Sequence, residues 1–288
     1  FYIKKKINDN MYPVIIDFGE FSFFGYEFHL AIYSFGFMLV AAFYSCYFLL
    51  HKDLKRLGYD QNLASDIVFW AALGGVIGAK IYYLVENFDR VIVDPTGMIF
   101  SGSGLVFLGG LLGGLLGVTM VLKKHNLPWL IFSDIVAPLL ILGYGIGRIG
   151  CFLVGDDYGL PSSLPWAISF DKGLPPTNAQ SFELYYPWID ISSIESFIIK
   201  VHPTQLYETI IAFLIFSFLW QQRKTIKNHG DLFFKYLFLA GVERFLIEFI
   251  RTNPKYLFNT FSGAQIISFG LVCIGIYFTI YPLGKSET

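Results

Sequence analysis

The sequence predicts an all-α polytopic membrane protein with about seven transmembrane helices and a small extracytoplasmic head. The 288 residues are 55% hydrophobic and only 15% charged, whereas soluble domains contain about 25% charged residues. Apolar stretches of about 20 residues, the length that crosses the hydrocarbon core of a bilayer, recur along the chain. Residues 155–201 are too long and too polar for a turn, and we expect them to fold as the head. Within this head, alternation over 166–170 predicts a short strand.

Seven segments are apolar enough and long enough to be predicted as spans. Their approximate bounds are 30–50, 63–85, 104–122, 129–154, 204–221, 232–250 and 262–283. Together they are expected to form one membrane-embedded domain over residues 11–288. Met11 is interpreted as the natural start, so that residues 1–10 are a start-site artefact; the alternative is that they belong to the chain.

Charged connections between the predicted spans indicate an orientation. Basic residues are concentrated in 51–56, 123–125 and 223–227, which follow the first, third and fifth spans. Basic loops remain in the cytoplasm, so these three connections are expected there. The acidic connection 86–94 and the segment 155–201 then lie on the outer side, with the N-terminus outside and the C-terminus inside.

Charge and cysteine content exclude several classes of function. The formal net charge is −1, so no basic surface for nucleic acid is predicted. The three cysteines are far apart in the sequence and match neither a disulfide framework nor a zinc-binding spacing. Asp156, Asp157 and His202 could supply metal ligands, but no ligand spacing recommends them, and we predict neither a metal nor a cofactor.

An arginine lies in the glycine-rich end of the fourth predicted span. Arg148 is flanked by Gly147 and Gly150. A guanidinium in hydrocarbon is costly unless a partner or an anionic ligand compensates it, so Arg148 is a functional-site hypothesis by default. The glycines let a ligand or another backbone approach closely. Helix packing is the alternative explanation of the glycines in spans two to four, and we favour it for Gly113, Gly114 and Gly117 of span three.

Charged residues of four predicted spans are expected to meet at one depth near the outer leaflet. The outer parts of spans two, four, five and six carry Lys80, Arg148, Glu208, Arg244, Glu248 and Arg251. Arg244, Glu248 and Arg251 are spaced four and three residues apart, so they share one helical face. Scattered structural ion pairs would have no reason to share a depth. We therefore predict a polar site that opens to the outer leaflet.

Each of these charges also has a structural explanation when it is considered alone. Arg244 and Glu248 could form an intrahelical pair, and Glu208 could connect span five to another helix. Arg251 could extend to lipid headgroups. Before Asp156 and Asp157 at the rim are counted, two of the four basic groups lack a firm carboxylate partner, and this balance of charges favours a ligand. Arginine binds phosphate through a planar fork of donors, which suits an anionic lipid.

Three motifs and three shorter segments carry a family resemblance. The motifs are Gly147-Arg148-Ile149-Gly150 with Phe152 and Gly155, the heptad HPTQLYE over 202–208, and the octad RFLIEFIR over 244–251. The shorter segments are Met11-Tyr12-Pro13-Val14, Tyr33-Ser34-Phe35-Gly36 and Gly263-Ala264-Gln265-Ile266-Ile267-Ser268. In this order they closely resemble the prolipoprotein diacylglyceryl transferase family, and the match covers essentially Met11 to the end.

The resemblance implies a seven-helix, multi-pass enzyme of the bacterial inner membrane with an outward-facing site. The family moves a diacylglyceryl group from phosphatidylglycerol, a membrane lipid, to the lipobox cysteine thiol of prolipoprotein signal peptides, and it releases glycerol phosphate. The thiol must lose its proton, and the charge of the leaving phosphate must be neutralised. No cofactor is implied.

The motif matches also imply roles for individual residues. Arg148 and Arg244 resemble the phosphate-binding and transition-state arginines, and Glu208 and Glu248 would hold them in place. His202 opens its motif at the rim of the site, either as a catalytic residue or as a structural residue that caps the helix. The residues expected to bind substrate are Arg148, Arg251, Glu208, Tyr207, Gln205, Lys80, Gly147, Gly150 and Asp156.

Several positions depart from the family pattern. Cys151 replaces an asparagine, Asp156 a glutamate, Leu108 a histidine or tyrosine, Phe35 a tyrosine, and Lys80 a frequent arginine. These changes leave an alternative open: a divergent paralogue that binds anionic phospholipid without this catalysis, or that transfers the lipid group to another acceptor. A transporter is a third alternative, although the sequence shows no symmetry between its halves.

Overall fold

The structure, a computed structural model, is mostly helical and describes residues 13–23, 26–100, 106–226, 228–257 and 260–285. The helices are α1 Ser34–Leu57, α2 Leu63–Glu86, α3 Phe88–Val93, α4 Pro95–Phe100, α5 Phe107–Lys124, α6 Trp129–Val154, α7 Ala179–Tyr185, α8 Thr204–Gln222, α9 Asp231–Ile247 and α10 Gly263–Ile280. A 3₁₀ turn, Glu248–Ile250, follows α9, and the strands are β1 Val14–Phe23, β2 Tyr26–Tyr33, β3 Asn228–His229 and β4 Gly284–Lys285. The expected start at Met11 lies outside the described residues.

Each of the seven predicted apolar segments contains a long helix. The fourth prediction, 129–154, coincides with α6, and the others differ from their helices by a few residues at the ends. Among the residues that the structure describes, five helices are long and apolar enough to cross a membrane: α1, α2, α5, α6 and α10. The chain is therefore built as a polytopic membrane protein.

The N-terminal region corrects the prediction of an all-α chain. Strands β1 and β2 pair as an antiparallel hairpin directly before α1. The register shifts between Asp17 and Gly19, where Gly19 has a φ of +85° and its N–H donates to Asp17 Oδ1 at 2.8 Å. A bulge of this kind needs a residue that tolerates left-handed backbone. The first predicted span thus began too early, because residues 30–33 complete β2.

The chain forms two compact units, one of Phe1–Ala42 with Ala137–Thr288 and one of Phe43–Val136. In the second unit, glycines bring α2 and α5 into backbone contact. A Cβ on Gly78 would overlap the carbonyl of Gly109, and a Cβ on Gly113 would overlap the carbonyl of Gly74. Close packing of small residues is how helices associate where no hydrophobic drive exists between them. The packing explanation of these glycines is confirmed.

Replacing Gly78 with alanine should destabilise the second unit by about 1–3 kcal/mol, the usual cost of overpacking. The new methyl group would meet main-chain atoms of α5, which cannot rotate away. Thermal unfolding of the purified protein in detergent measures the change. Gly270→Ala in α10 is the matched control, since a Cβ there meets no atom within 4 Å. Equal midpoints for the two variants would contradict the prediction.

Residues 155–201 fold around a small apolar core. Tyr158, Phe170, Phe182, Ile199 and Val201 are buried together, and the rings of Tyr158 and Phe170 stack at 5.7 Å. The strand predicted over 166–170 is reduced to a single bridge between Ile168 and Val201. The N–H of Phe170 donates instead to the Thr177 side chain at 2.7 Å, which ends the extended pairing.

Three helices of the first unit hold the polar residues in register. Ile141 of α6, Ala212 of α8 and Leu232 of α9 belong to one buried cluster. Thr209 Oγ1 of α8 donates to the Gly145 carbonyl of α6 at 3.3 Å. These contacts bring together the helix turns that carry Arg148, Glu208 and Arg244.

Candidate active site

Glu208 is the centre of a buried network of charges contributed by α6, α8 and the end of α9. Its side chain is 0% exposed. Oε2 lies 2.9 Å from Arg148 Nε, and Oε1 lies 3.0 Å from Arg244 Nη1 and 3.2 Å from Arg251 Nη1. One carboxylate thus contacts three guanidinium groups. A buried charge is tolerated when opposite charges compensate it, and here three guanidinium groups surround the Glu208 carboxylate.

Glu248 is the second fully buried carboxylate of the network. Its Oε2 lies 2.9 Å from Arg244 Nη2, four residues earlier. Its Oε1 accepts from Asn253 Nδ2 and from Ser262 Oγ, both at 2.7 Å. Sequence reasoning missed Asn253 and Ser262. Ser262 had a readable signal, since Ser262 and Gln265 form the capping box that starts α10.

The end of α9 explains how Arg251 joins the network. The α-helix ends at Ile247, three residues before the predicted end of the span, and a 3₁₀ turn continues to Ile250. Arg251 is then extended, with φ −88° and ψ 158°, and its main chain bridges to Gly159. The predicted helical face therefore describes Arg244 and Glu248 but not Arg251. Arg251 converges on the same carboxylates from outside the helix.

Asp157 corrects the predicted excess of positive charge. Its Oδ2 lies 2.6 Å from Arg148 Nη1, and its Oδ1 lies 2.7 Å from Arg251 Nη2. With Asp157 included, the three arginines face three carboxylates, and each arginine has at least two carboxylate partners. The expectation that basic groups of this cluster lack partners is wrong, because Asp157 was not assigned to the site.

The turn after α6 aims the side chain of Asp157 at the arginines. Gly155 and Asp157 both have left-handed backbone, with φ of +73° and +58°. Thr204 Oγ1 donates to the Asp157 carbonyl at 3.0 Å, and Gln205 Nε2 donates to the Asp156 carbonyl at 2.5 Å. Gln205, expected in the substrate site, therefore holds this turn. Aspartate tolerates left-handed backbone better than most residues do.

Asp156 and Asp157 are adjacent in the chain, but their carboxyl pKa values are shifted in opposite directions. Burial and the charge of Asp157 raise the pKa of Asp156 to about 6. Burial would also raise the pKa of Asp157, but the charges of Arg251 and Arg148 outweigh it and lower that pKa to about 2. Asp157 is thus ionised at neutral pH. Asp156, which was predicted as a substrate-binding residue, contacts none of the three arginines by a hydrogen bond in the described structure.

Asp156→Asn should change how stability depends on pH. An unfolded aspartate has a pKa of about 3.9, so a folded pKa of about 6 means that the native state holds a proton that the unfolded state has lost. Stability of the wild type should therefore fall as pH rises from about 4 to about 6. The variant should lack this fall. Thermal midpoints measured at intervals across this range test it, and parallel curves for both proteins would contradict it.

His202 and Tyr207 connect the head to the start of α8. Tyr207 Oη accepts from Trp166 Nε1 at 2.7 Å and lies 3.5 Å from His202 Nδ1. The His202 carbonyl accepts from the Gly159 N–H at 2.9 Å. Burial lowers the pKa of His202. His202 is therefore neutral at pH 7. Its carbonyl is hydrogen-bonded to Gly159, which follows Asp157 by two residues.

The other predicted residues have distinct surroundings. A Cβ on Gly150 would come within 3.2 Å of Phe35 and Met38, so Gly150 packs α6 against α1, whereas a Cβ on Gly147 would meet no atom within 4 Å. Lys80 belongs to the second unit, where its Nζ lies 5.4 Å from the ring centre of Tyr83. Its predicted role in the charged cluster remains a prediction.

Cys151, Asp156 and Asp157 bring three ligand-type atoms within 4.8 Å of one another. His202, part of the weak metal set considered from the sequence, is not in this group. Arg148 Nη1 donates to Cys151 Sγ at 3.6 Å and to Asp157 at 2.6 Å. A guanidinium therefore already supplies positive charge to two of the three groups, and the geometry does not favour a metal ion here.

Comparison with known proteins identifies the family of this chain. The family model described as prolipoprotein diacylglyceryl transferase matches residues 23–281. A phosphatidylglycerol–prolipoprotein diacylglyceryl transferase of Clostridium tetani is 33% identical over 252 residues, covering 87% of this chain and 93% of the relative. The enzymes of the same name from Oceanobacillus iheyensis and Shewanella oneidensis are 31% and 28% identical, covering 88% and 96% of this chain and 84% and 97% of the relatives. The chain therefore belongs to the prolipoprotein diacylglyceryl transferase family.

Proposed function

We propose that this protein transfers the diacylglyceryl group of phosphatidylglycerol to the lipobox cysteine thiol of prolipoproteins and releases glycerol phosphate. The names of the relatives supply the lipid donor and the protein acceptor. The observation that carries the proposal is the arginine network on the buried Glu208 carboxylate, in a chain with several apolar, membrane-length helices. Guanidinium groups bind phosphate through two parallel hydrogen bonds.

Arg148 and Arg244 are the arginines that can reach a lipid phosphate. Their side chains are 14% and 25% exposed, while that of Arg251 is 4% exposed. All three contact Glu208 on the buried side. The contacts with Glu208 fix the orientation of the Arg148 and Arg244 guanidinium groups. The exposed part of each side chain can then face a substrate. Arg251 is buried, and its guanidinium contacts carboxylates of the network.

The arrangement suits a displacement at carbon. The thiol sulfur loses its proton and forms a bond to the glyceryl carbon, whose bond to the phosphate oxygen breaks. The electron pair of that bond leaves on the phosphate oxygen, where negative charge develops. Preorganised donors stabilise such charge most when it appears in the transition state, which is the role assigned to Arg148 and Arg244. No step requires a cofactor.

His202 is the proposed proton acceptor for the thiol. Its lowered pKa leaves the imidazole neutral at pH 7, so one ring nitrogen is able to take a proton. Leu108, at the position where relatives carry histidine or tyrosine, has no such capacity. The predicted substrate contacts of Tyr207, Gly147 and Lys80 belong to the same proposal.

The proposed setting is the bacterial inner membrane, with seven spans. In addition to the five apolar helices, α8 and α9 would cross the bilayer, because their polar residues belong to the network rather than to the lipid surface. The basic connections would lie in the cytoplasm, which places the N-terminus, the head of residues 155–201 and the arginines on the outer side. Prolipoprotein signal peptides would approach from there.

Purified protein, phosphatidylglycerol vesicles and a lipobox peptide test the proposal. Mass spectrometry should show a peptide heavier by one diacylglyceryl group, and Arg148→Ala or Arg244→Ala should abolish this product. A peptide with serine in place of the lipobox cysteine is the matched control and should remain unmodified. If the wild type binds anionic lipid but yields no heavier peptide, the transferase proposal fails, and the protein is a lipid-binding relative.

A further inference from the structure

Asp157 bridges Arg251 and Arg148, and Arg148 is one of the two arginines assigned to the lipid phosphate. One carboxylate oxygen contacts Arg148 Nη1 at 2.6 Å and the other contacts Arg251 Nη2 at 2.7 Å. Bridging of two guanidinium groups by two oxygens of one anion is also how phosphate is held. The side chain of Asp157 is 46% exposed, in contrast to the fully buried Glu208 and Glu248. Asp157 is thus the carboxylate of the network that an incoming anion can displace.

The backbone allows this carboxylate to move without rearranging the turn. Thr204 and Gln205 hold the carbonyls of Asp157 and Asp156, so the main chain is anchored while the side chain can rotate. The pKa of about 2 keeps the carboxylate charged near pH 7. Asp157 can therefore compete with a phosphate as a charged group at neutral pH.

We infer that Asp157 is an internal competitor for the phosphate site: it leaves Arg148 when a phosphate binds and returns when the phosphate departs. The identity of that phosphate rests on the proposed function. A phosphodiester lipid carries one negative charge, whereas a phosphate monoester carries about −1.5 to −2 near pH 7. Three arginines opposed by only two carboxylates would retain the monoester product strongly. Asp157 restores neutrality and so promotes release of glycerol phosphate.

Asp157→Asn tests the inference in the full-length protein. Asparagine keeps the size of the side chain and tolerates the φ of +58°, but it removes the competing charge. The variant, held in lipid nanodiscs, should bind glycerol 1-phosphate and inorganic phosphate about tenfold more tightly than the wild type. In the transfer assay, glycerol 1-phosphate should become a correspondingly stronger inhibitor. Asp157→Gly, which also accepts this backbone, provides a second variant.

Asp190→Asn is the matched control. It makes the same change of charge in the same unit, at an exposed aspartate whose carboxylate accepts from the nearby Ser192 N–H at 2.9 Å. Its phosphate affinity should equal that of the wild type. Combining Asp157→Asn with Arg148→Ala should remove most of the gain, because the competition acts through the Arg148 guanidinium.

The outcomes separate this inference from the proposed function. If Asp157→Asn and Asp157→Gly bind phosphate no more tightly than the wild type, the inference is overturned, whether or not the protein transfers lipid. An equal gain in the Asp190→Asn control would also overturn it, since the effect would then be general electrostatics. Tighter phosphate binding without any lipid transfer would support the inference and refute the proposed function.

Discussion

Glu208→Gln should destabilise the folded protein by about 3–5 kcal/mol, the range found when one partner of a buried ion pair is removed. Glutamine has almost the same shape, but it leaves three arginines opposed by two carboxylates. Its amide group would also point a donor at guanidinium donors. Both oxygens of Glu208 now contact arginines, at 2.9 to 3.2 Å. Chemical unfolding in detergent should show the loss directly.

Glu183→Gln makes the same substitution at an exposed position of α7 and should leave stability within experimental error. If the two variants unfold at the same denaturant concentration, the contacts of Glu208 with the arginines do not stabilise the fold, and the prediction is wrong. A second readout strengthens the test: proteolysis of the head should accelerate only in the Glu208 variant, because Thr204 and Gln205, which anchor the turn after α6, lie on the same helix end.

Arg244→Lys should lower kcat/KM for lipid transfer by about 10²–10³-fold, the usual effect of removing a donor that acts on developing charge. Lysine keeps the positive charge but cannot contact Glu208, Glu248 and a phosphate at once. Arg244 contacts the two carboxylates through separate nitrogens, with Nη1 on Glu208 and Nη2 on Glu248. The loss should appear mainly in kcat, because the interaction strengthens as the phosphate leaves.

Arg223→Lys, at the opposite end of α8, is the control for the general effect of exchanging arginine for lysine. Its guanidinium contacts the carbonyl and the ring of Trp220 and does not belong to the network. This variant should transfer lipid at the wild-type rate. A rate for Arg244→Lys within a factor of three of the control would show that the fork of Arg244 is not needed.

The long helices and the meeting of the charges were predictable from the sequence, and for the same reason. Hydrocarbon penalises unpaired polar groups strongly, so apolar length reveals the helices. A charge inside such a helix must find a partner. This constraint was sufficient to place Arg148, Glu208, Arg244, Glu248 and Arg251 together. Their assignment did not depend on any detail of local backbone.

Local backbone is where sequence reasoning failed. The choice between Asp156 and Asp157 depends on left-handed residues at 155 and 157 and on donors from α8, which sequence spacing does not encode. The 3₁₀ turn at 248–250 turns Arg251 out of the predicted face, although the turn itself contains no glycine or proline. The N-terminal hairpin was missed because its first strand was given no assignment and residues 30–33 of its second strand were counted toward the first span.

The sharing of Glu208 by three arginines has a consequence for how this protein can evolve. Because their effects pass through one carboxylate, substitutions at Arg148, Arg244 and Arg251 should be strongly epistatic, with double variants costing less than the sum of the singles. No single-step path exchanges one of these arginines without disturbing the other two. Asp157, at the accessible edge, can change alone. New acceptors or headgroup preferences should therefore arise through substitutions at the edge of the network, while its centre stays fixed.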